Sequence, residues 1–442
     1  MGEGVVGKVA KWLLAAVCCL GFGLSAALAG PIVSILDGKI EGIGRGDVEQ
    51  FLGIPFAAPP VGPLRWAAPA PVTPWTGLRP ATEYASKCVQ NGWVAPIRQY
   101  RNEDCLYLNV YRPAAPAAQA RPVLVWFHGG AAVAGSSQDV DGSVFAAKTG
   151  QVVISVNYRL GAFGMASFAQ SGSNFWLRDQ QAALRWVKAN AKAFGGDPGQ
   201  VTIMGQSAGA SSICAMLARR PRFGRAILQS AALGRGFRSS AQAAALGQAF
   251  LAAAGADTLE HARALPVERL LAAQQAPAVI AALQAESSRR SLFGPVLDGQ
   301  VLPADIAPAL RQAAGRADVL VSYTRDEMAA FPGGDGPDCA AASEAVFGAP
   351  SRQWAADAAA QGRQAWLARF DVAPTTRFQA CHCIELPFVF DTLAAFADAP
   401  MLQGLAPTQA AALAQTTQRA WIAFIRGETP AWPAAPHLER LA

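Results

Sequence analysis

Charged side chains make up only 15% of this sequence, and histidine occurs four times. Each scarcity excludes something. With hydrophobic residues at 52%, so little charge rules out the polar composition of a disordered chain and points to a large buried core. The formal net charge of +6 is scattered rather than gathered into a basic stripe, and no nucleic-acid motif accompanies it. No nucleic-acid partner is therefore expected. No glycine fingerprint for a dinucleotide follows the first strand and no phosphate-binding loop occurs, so no cofactor is expected. Histidine meets cysteine in Cys381-His382-Cys383, but three consecutive residues cannot furnish three ligands of a tetrahedral site, so no metal is expected. Internal repeats and long low-complexity linkers are absent, and the Pro/Ala stretch Pro113 to Ala120 is short enough for a surface loop. The sequence is silent on oligomeric state.

What is present begins with a segment of its own composition. Lys8 and Lys11 precede an apolar run from Trp12 to Ala29 that closes on Ala27-Leu28-Ala29. A basic region, an apolar region and an A-x-A site predict a signal peptide over residues 1–29, cut before Gly30. Cys18 is not a lipidation site, because Val17 stands where a small residue is needed. The expected product is a secreted or periplasmic protein of residues 30–442, one catalytic domain without stable membrane association. Cys88, Cys105, Cys214, Cys339, Cys381 and Cys383 remain in it, and export makes disulfides reasonable, although spacing alone does not fix their pairing.

The runs Val123 to Phe127, Val152 to Val156, Val201 to Met204 and Val319 to Val321 are short and β-branched, as expected of strands buried on both faces of a sheet. Between the second and third, Arg178 to Phe194 spaces Leu184, Val187, Ala191 and Phe194 by three and four residues, which predicts an amphipathic helix. Strand, helix and strand imply an α/β sheet whose sites form beyond the C-terminal ends of strands.

Gly205-Gln206-Ser207-Ala208-Gly209 follows the third of these strands and precedes the apolar helical stretch Ala210 to Leu217. G-x-S-x-G alone is weak, but between strand and helix it describes a nucleophile elbow, in which small residues flank a serine held on a sharp turn. This is the turn of an α/β-hydrolase fold, with a large, mostly parallel sheet covered by helices. A serine needs a base, and the base an acid that orients it. In this fold the chain order is serine, acid, histidine. His128 precedes Ser207, His261 reads as an exposed helical position, and His437 sits in a Pro-rich tail. His382, followed by the apolar segment Leu386 to Phe390, is the base. The acid should follow the strand that begins near Val319, where Asp326 and Glu327 are adjacent, and spacing does not separate them. His128-Gly129-Gly130-Ala131 follows the first strand and offers small residues whose N–H groups can approach an oxyanion, joined by the N–H of Ala208. His128 itself is expected to brace that loop.

Beyond these residues, further motifs carry a resemblance. They are Phe51 to Ala57 with Pro60-Val61-Gly62, Glu103 to Val110, Phe194-Gly195-Gly196-Asp197-Pro198, Gly294 to Gly299, and Trp421 to Phe424. With the elbow they make the chain resemble the type-B carboxylesterase family, which includes cholinesterases and bacterial para-nitrobenzyl esterases. The resemblance implies a serine carboxylic-ester hydrolase acting on a small-molecule ester. It selects Glu327 as the acid, completing a triad of Ser207, Glu327 and His382, and assigns the oxyanion donors to Gly130, Ala131 and Ala208. It also implies a disulfide between Cys88 and Cys105, closing a loop in which Trp93 either lines the pocket or packs on its own loop.

Departures from the family pattern carry expectations too. Gln206 stands where glutamate is usual, which removes a charge beneath the elbow. The interval from Glu327 to His382 is short, which implies a reduced lid and a more open site, and Ala132-Val133-Ala134 replaces common aromatics and should widen the pocket. Cys339 is expected to pair with Cys381 or Cys383. A non-catalytic binding role is the alternative class, but such relatives have lost triad residues that are present here. Lipase, feruloyl esterase, polyester hydrolase and thioesterase chemistry share this machinery, and the pocket that separates them is not legible. Little in the sequence provides the aromatic gorge of a cholinesterase.

Overall fold

In the computed structural model, which describes residues 30–90, 101–219, 223–286, 293–331, 334 and 336–442, the apolar runs form the centre of a ten-stranded sheet. Its strands are β1 (Ile43–Arg45), β2 (Val48–Pro55), β3 (Tyr107–Pro113), β4 (Arg121–Phe127), β5 (Val152–Val156), β6 (Gly196–Gln206), β7 (Arg225–Gln229), β8 (Asp318–Thr324), β9 (Ala365–Phe370) and β10 (Glu439–Leu441). They lie in the order β1-β2-β3-β5-β4-β6-β7-β8-β9-β10. The first three join antiparallel, as does β3 to β5, and every pairing from β5 onward is parallel. A second, three-stranded sheet of Ile32–Ile35, Gly38–Glu41 and Leu78–Pro80 sits at the N-terminal end.

The period of two along each strand divides the core into two layers. Val123, Val125 and Phe127 of β4 point into one, and Leu124 and Trp126 into the other; β8 does the same with Val319 and Val321 against Leu320. Both faces are covered, so the strands read as unbroken apolar runs. Helices α1 (Phe175–Asn190) and α2 (Ala208–Leu217) pack on the first face, and α3 (Pro407–Arg426) on the second. The helix expected over Arg178 to Phe194 starts earlier, because Phe175 and Trp176 are buried on the same face. It ends as an α-helix at Asn190, where a 3₁₀ turn, Ala191–Phe194, stops on the left-handed Gly195 (φ 76°). α1 is tied to the loop after β5 by a buried ion pair, in which Arg159 donates from Nε and Nη2 to the two carboxylate oxygens of Asp179 at 2.8 and 2.7 Å.

The parallel strands place their C-terminal ends along one edge. Phe127, Gln206, Gln229 and Thr324 end β4, β6, β7 and β8 there, with Phe127 in register with Gly205 and Gln206 with Gln229. The loops that leave this edge carry His128 to Ala131, Ser207 and Glu327. The expected signal peptide and Trp93 lie outside the described residues. Among those described, no helix is long and apolar enough to cross a membrane.

Cys88 and Cys105 form a disulfide. Cys214, Cys339, Cys381 and Cys383 are free, so the expected bridge from Cys339 to Cys381 or Cys383 is not formed. Burial among apolar side chains accounts for Cys381, whose thiol is pushed up to about 12 and is correspondingly inert.

Candidate active site

The turn after β6 is held by contacts that only glycine permits. Ser207 adopts φ 56° and ψ −119°, a conformation costly for any residue with a side chain. A Cβ on Gly205 would lie 2.6 Å from the carbonyl carbon of Gly209, and one on Gly209 would run into the carbonyl oxygen of Phe127. The small flanking residues of the motif are therefore a packing requirement of the elbow. The Ser207 N–H donates to the carbonyl of Gln229 at 2.8 Å, pinning the turn to β7.

Glu327 and His382 approach from the turn after β8 and from the loop after β9. Glu327 is fully buried; its Oε1 accepts from the Thr324 N–H at 2.8 Å, and its Oε2 accepts from His382 Nδ1. This leaves Nε2 as the ring nitrogen not engaged by Glu327. Burial pushes the His382 imidazole down, but neighbouring Cys383 and Glu327 outweigh it and hold the ring well above its ordinary value. Asp326 is not a solvated carboxylate. Its Oδ2 accepts from the Ala380 N–H at 3.0 Å, and its own N–H donates to the Ala380 carbonyl at 3.0 Å, clamping the histidine loop to the acid turn. From the far side, the short helix Leu386–Phe390 buries Phe388, Val389 and Phe390 and anchors the same loop.

The remaining histidines sit as read from the sequence. His261 and His437 are exposed. His128 stacks on Tyr158 with ring centroids 4.3 Å apart, and Nδ1 lies 2.9 Å from the Gly129 carbonyl. Burial pushes its imidazole down, so it stays neutral and serves as a brace. Gly130 (φ 92°), Ala131 (φ 54°) and Ala132 (φ 56°) then turn in the left-handed region. Among the described residues no protein group accepts from the N–H of Gly130 or Ala131. Ala208, as the first residue of α2, has no intrahelical acceptor for its N–H.

Ser207, His382, Gly130, Ala131 and Ala208 all border one cavity of about 260 Å³. Its walls are largely apolar, from Met165, Trp176, Phe237, Phe293, Phe331 and Phe347, and Arg235 and Arg238 also border it. Phe331 and Phe347 lie 5.3 and 5.0 Å from the His382 ring. Ser207 and His382 are 8% and 6% exposed. Of Ala132-Val133-Ala134, expected to widen the pocket, Ala132 alone is among the residues bordering the cavity, and Val133 is buried.

A buried polar layer that the sequence did not reveal lies beside Glu327 and His382. Glu385 is 1% exposed; Gln229 Nε2 donates to its Oε1 at 3.3 Å, and its Oε2 has no protein partner. Burial, reinforced by Glu327, pushes its carboxyl up to about 7. A lone carboxylate entering the apolar stretch Ile384 to Phe390 was the available signal. Gln206 is equally buried, and its Nε2 lies 3.1 Å from His382 Nε2. Ser207 Oγ makes no hydrogen bond among the described residues, so the hydroxyl and the imidazole share the cavity without yet joining. Catalytic hydrogen bonds are often loose before substrate binds.

The sheet order, with an elbow serine at the C-terminal edge, defines an α/β-hydrolase. A family model described as the carboxylesterase family matches residues 29–335. The para-nitrobenzyl esterase of Bacillus subtilis (strain 168) is 35% identical, the alignment covering 91% of this chain and 92% of that protein. Phenmedipham hydrolase of Pseudarthrobacter oxydans is 32% identical over the same shares. Among solved structures, a thermophilic para-nitrobenzyl esterase superposes with a TM-score of 0.84 at 32% identity, covering 93% of this chain and 95% of that one. The chain belongs to the carboxylesterase family. It is a serine carboxylesterase.

Proposed function

We propose that the protein hydrolyses small to medium carboxylic esters through an acyl-enzyme formed on Ser207. The observation that carries this reading is a serine strained at an elbow (φ 56°) that borders the same cavity as an imidazole bonded through Nδ1 to a buried glutamate. His382 Nε2 takes the Ser207 proton as Oγ bonds to the ester carbonyl carbon, and the carbonyl oxygen gains the negative charge. The N–H groups of Gly130, Ala131 and Ala208 receive that charge, each contributing about 3 kcal/mol to the transition state. Collapse breaks the bond to the alkoxy group, which leaves as the alcohol with the proton from Nε2. Water, deprotonated by the same nitrogen, then releases the acid and restores Ser207. Glu327 keeps the proton on Nδ1 and steadies the ring while it is charged.

The apolar cavity supports esters with an aromatic or aliphatic acyl or alcohol part, in keeping with the names of the relatives. Export behind the N-terminal leader is part of the same reading, supported by the disulfide of Cys88 and Cys105. Mature protein should hydrolyse short-chain para-nitrophenyl esters, and Ser207→Ala should reduce turnover to background. Unchanged turnover in that variant would refute the assignment.

A further inference from the structure

Gln206 immediately precedes Ser207 at the end of β6, and its side chain is buried. It reaches past Ser207 to the ring nitrogen on which the proposed chemistry depends, with Nε2 to Nε2 at 3.1 Å. The other end of the amide rests on Gly129: a Cβ there would run into Gln206 Oε1 and lie 3.2 Å from the Ser207 Cβ. The first glycine after His128 therefore leaves the room in which the amide lodges. His382 Nδ1 carries its proton toward Glu327, so Nε2 presents a lone pair, and an amide N–H is the donor that fits it. A carboxylate in the same place could only accept, and would favour the doubly protonated ring.

The surroundings already press charge on this imidazole. Glu327 holds Nδ1, and Glu385 lies in the buried layer nearby with Oε2 unpartnered. Arg235 and Arg238 border the cavity, and Phe331 and Phe347 supply the ring's aromatic neighbours. An additional carboxylate on Nε2 would leave the ring with negative charge on both nitrogens.

We propose that Gln206 is a positioning residue for the general base. Its uncharged amide, seated against Gly129, donates to His382 Nε2 once the ring has lost its second proton, holds that deprotonated ring in the Nδ1–H tautomer, and yields the lone pair to Ser207 Oγ–H when substrate arrives. The proposal rests on the reading of Ser207 and His382 given above.

The test is the pH profile of kcat/KM on para-nitrophenyl acetate for wild type, Gln206→Glu and Gln206→Leu. A carboxylate within bonding distance raises a histidine by about one pH unit or more. Gln206→Glu should move the acid limb up by at least about that much, and, having lost the N–H donor, should reach a lower alkaline plateau than wild type. Gln206→Leu, which brings no charge, should lower kcat/KM by one factor at every pH with the limb in place. A Gln206→Glu limb superimposable on wild type overturns the proposal. Should that variant fail to fold, ¹⁵N NMR of wild type at a pH on the alkaline plateau of its own profile decides. A protonated Nδ1 and an unprotonated, hydrogen-bonded Nε2 on His382 are expected, and a proton on Nε2 overturns the proposal. A His382→Ala variant that retained hydrolysis would instead refute the base assignment itself, so the two failures are distinct.

Discussion

The buried carboxyl of Glu385 makes stability depend on pH in a direction opposite to that of most paired carboxylates. Its ordinary value is 4.5, and in the folded chain burial lifts it to about 7. Below 4.5 both folded and unfolded chains hold the proton, and the associated stability is fully present. Between 4.5 and about 7 the unfolded chain releases it while the folded chain keeps it, so stability falls as pH rises. Above about 7 the loss is complete. At about 1.4 kcal/mol per pH unit of difference, it amounts to about 3 kcal/mol. Glu385→Gln removes the titration and keeps an oxygen able to accept from Gln229 Nε2. Its amide nitrogen then occupies the place of the unpartnered Oε2, and any constant cost of that exchange cancels between two pH values. Urea unfolding followed by tryptophan fluorescence at pH 4.5 and pH 8 provides the comparison. Relative to wild type, the variant should gain about 3 kcal/mol on going from the lower pH to the higher. A difference between variant and wild type that does not change with pH would refute the reasoning.

Other perturbations follow from single contacts. Glu327→Gln should lower kcat by about 10³- to 10⁴-fold with an unchanged far-ultraviolet circular dichroism spectrum, because the amide no longer keeps the proton on Nδ1; a loss below tenfold would contradict the assigned role. Asp179→Ala strands the buried Arg159 guanidinium and should cost about 3–5 kcal/mol in chemical denaturation, whereas a cost under 1 kcal/mol would show that the pair does not hold α1 in place. Cys88→Ser opens a loop whose ends are 17 residues apart, and should cost about 3 kcal/mol by loss of chain constraint, read from the denaturation midpoint; an unchanged midpoint would contradict this.

Much of this organisation was legible because it depends on local pattern. The apolar runs around Val125 and Leu320 announced strands covered on both faces, and a glycine-flanked serine between strand and helix announced the elbow. Scarcity of histidine singled out His382. Asp326 and Glu327 could not be separated by spacing, since adjacent residues leave a strand end in opposite directions and only packing decides which one meets the ring. The resemblance selected Glu327, and the structure finds Asp326 holding the backbone of Ala380 instead. Sequence alone could not reveal the reach of Gln206 to His382, which depends on room left by Gly129 far away in the chain. Nor could it reveal that Glu385 is buried against Gln229, because burial of a carboxyl is a property of the assembled sheet edge. The expected bridge from Cys339 failed for a similar reason: shared loops do not guarantee that sulfurs face each other.

Covalent trapping tests the central claim most directly. Mature protein treated with a fluorophosphonate that transfers its phosphonyl group to an activated serine, releasing fluoride, would be digested and mapped by mass spectrometry alongside an ester-hydrolysis assay. A single adduct on Ser207, formed in step with loss of hydrolysis, is the predicted result. Full inactivation with Ser207 unlabelled, or labelling that proceeds while hydrolysis is untouched, would contradict the account.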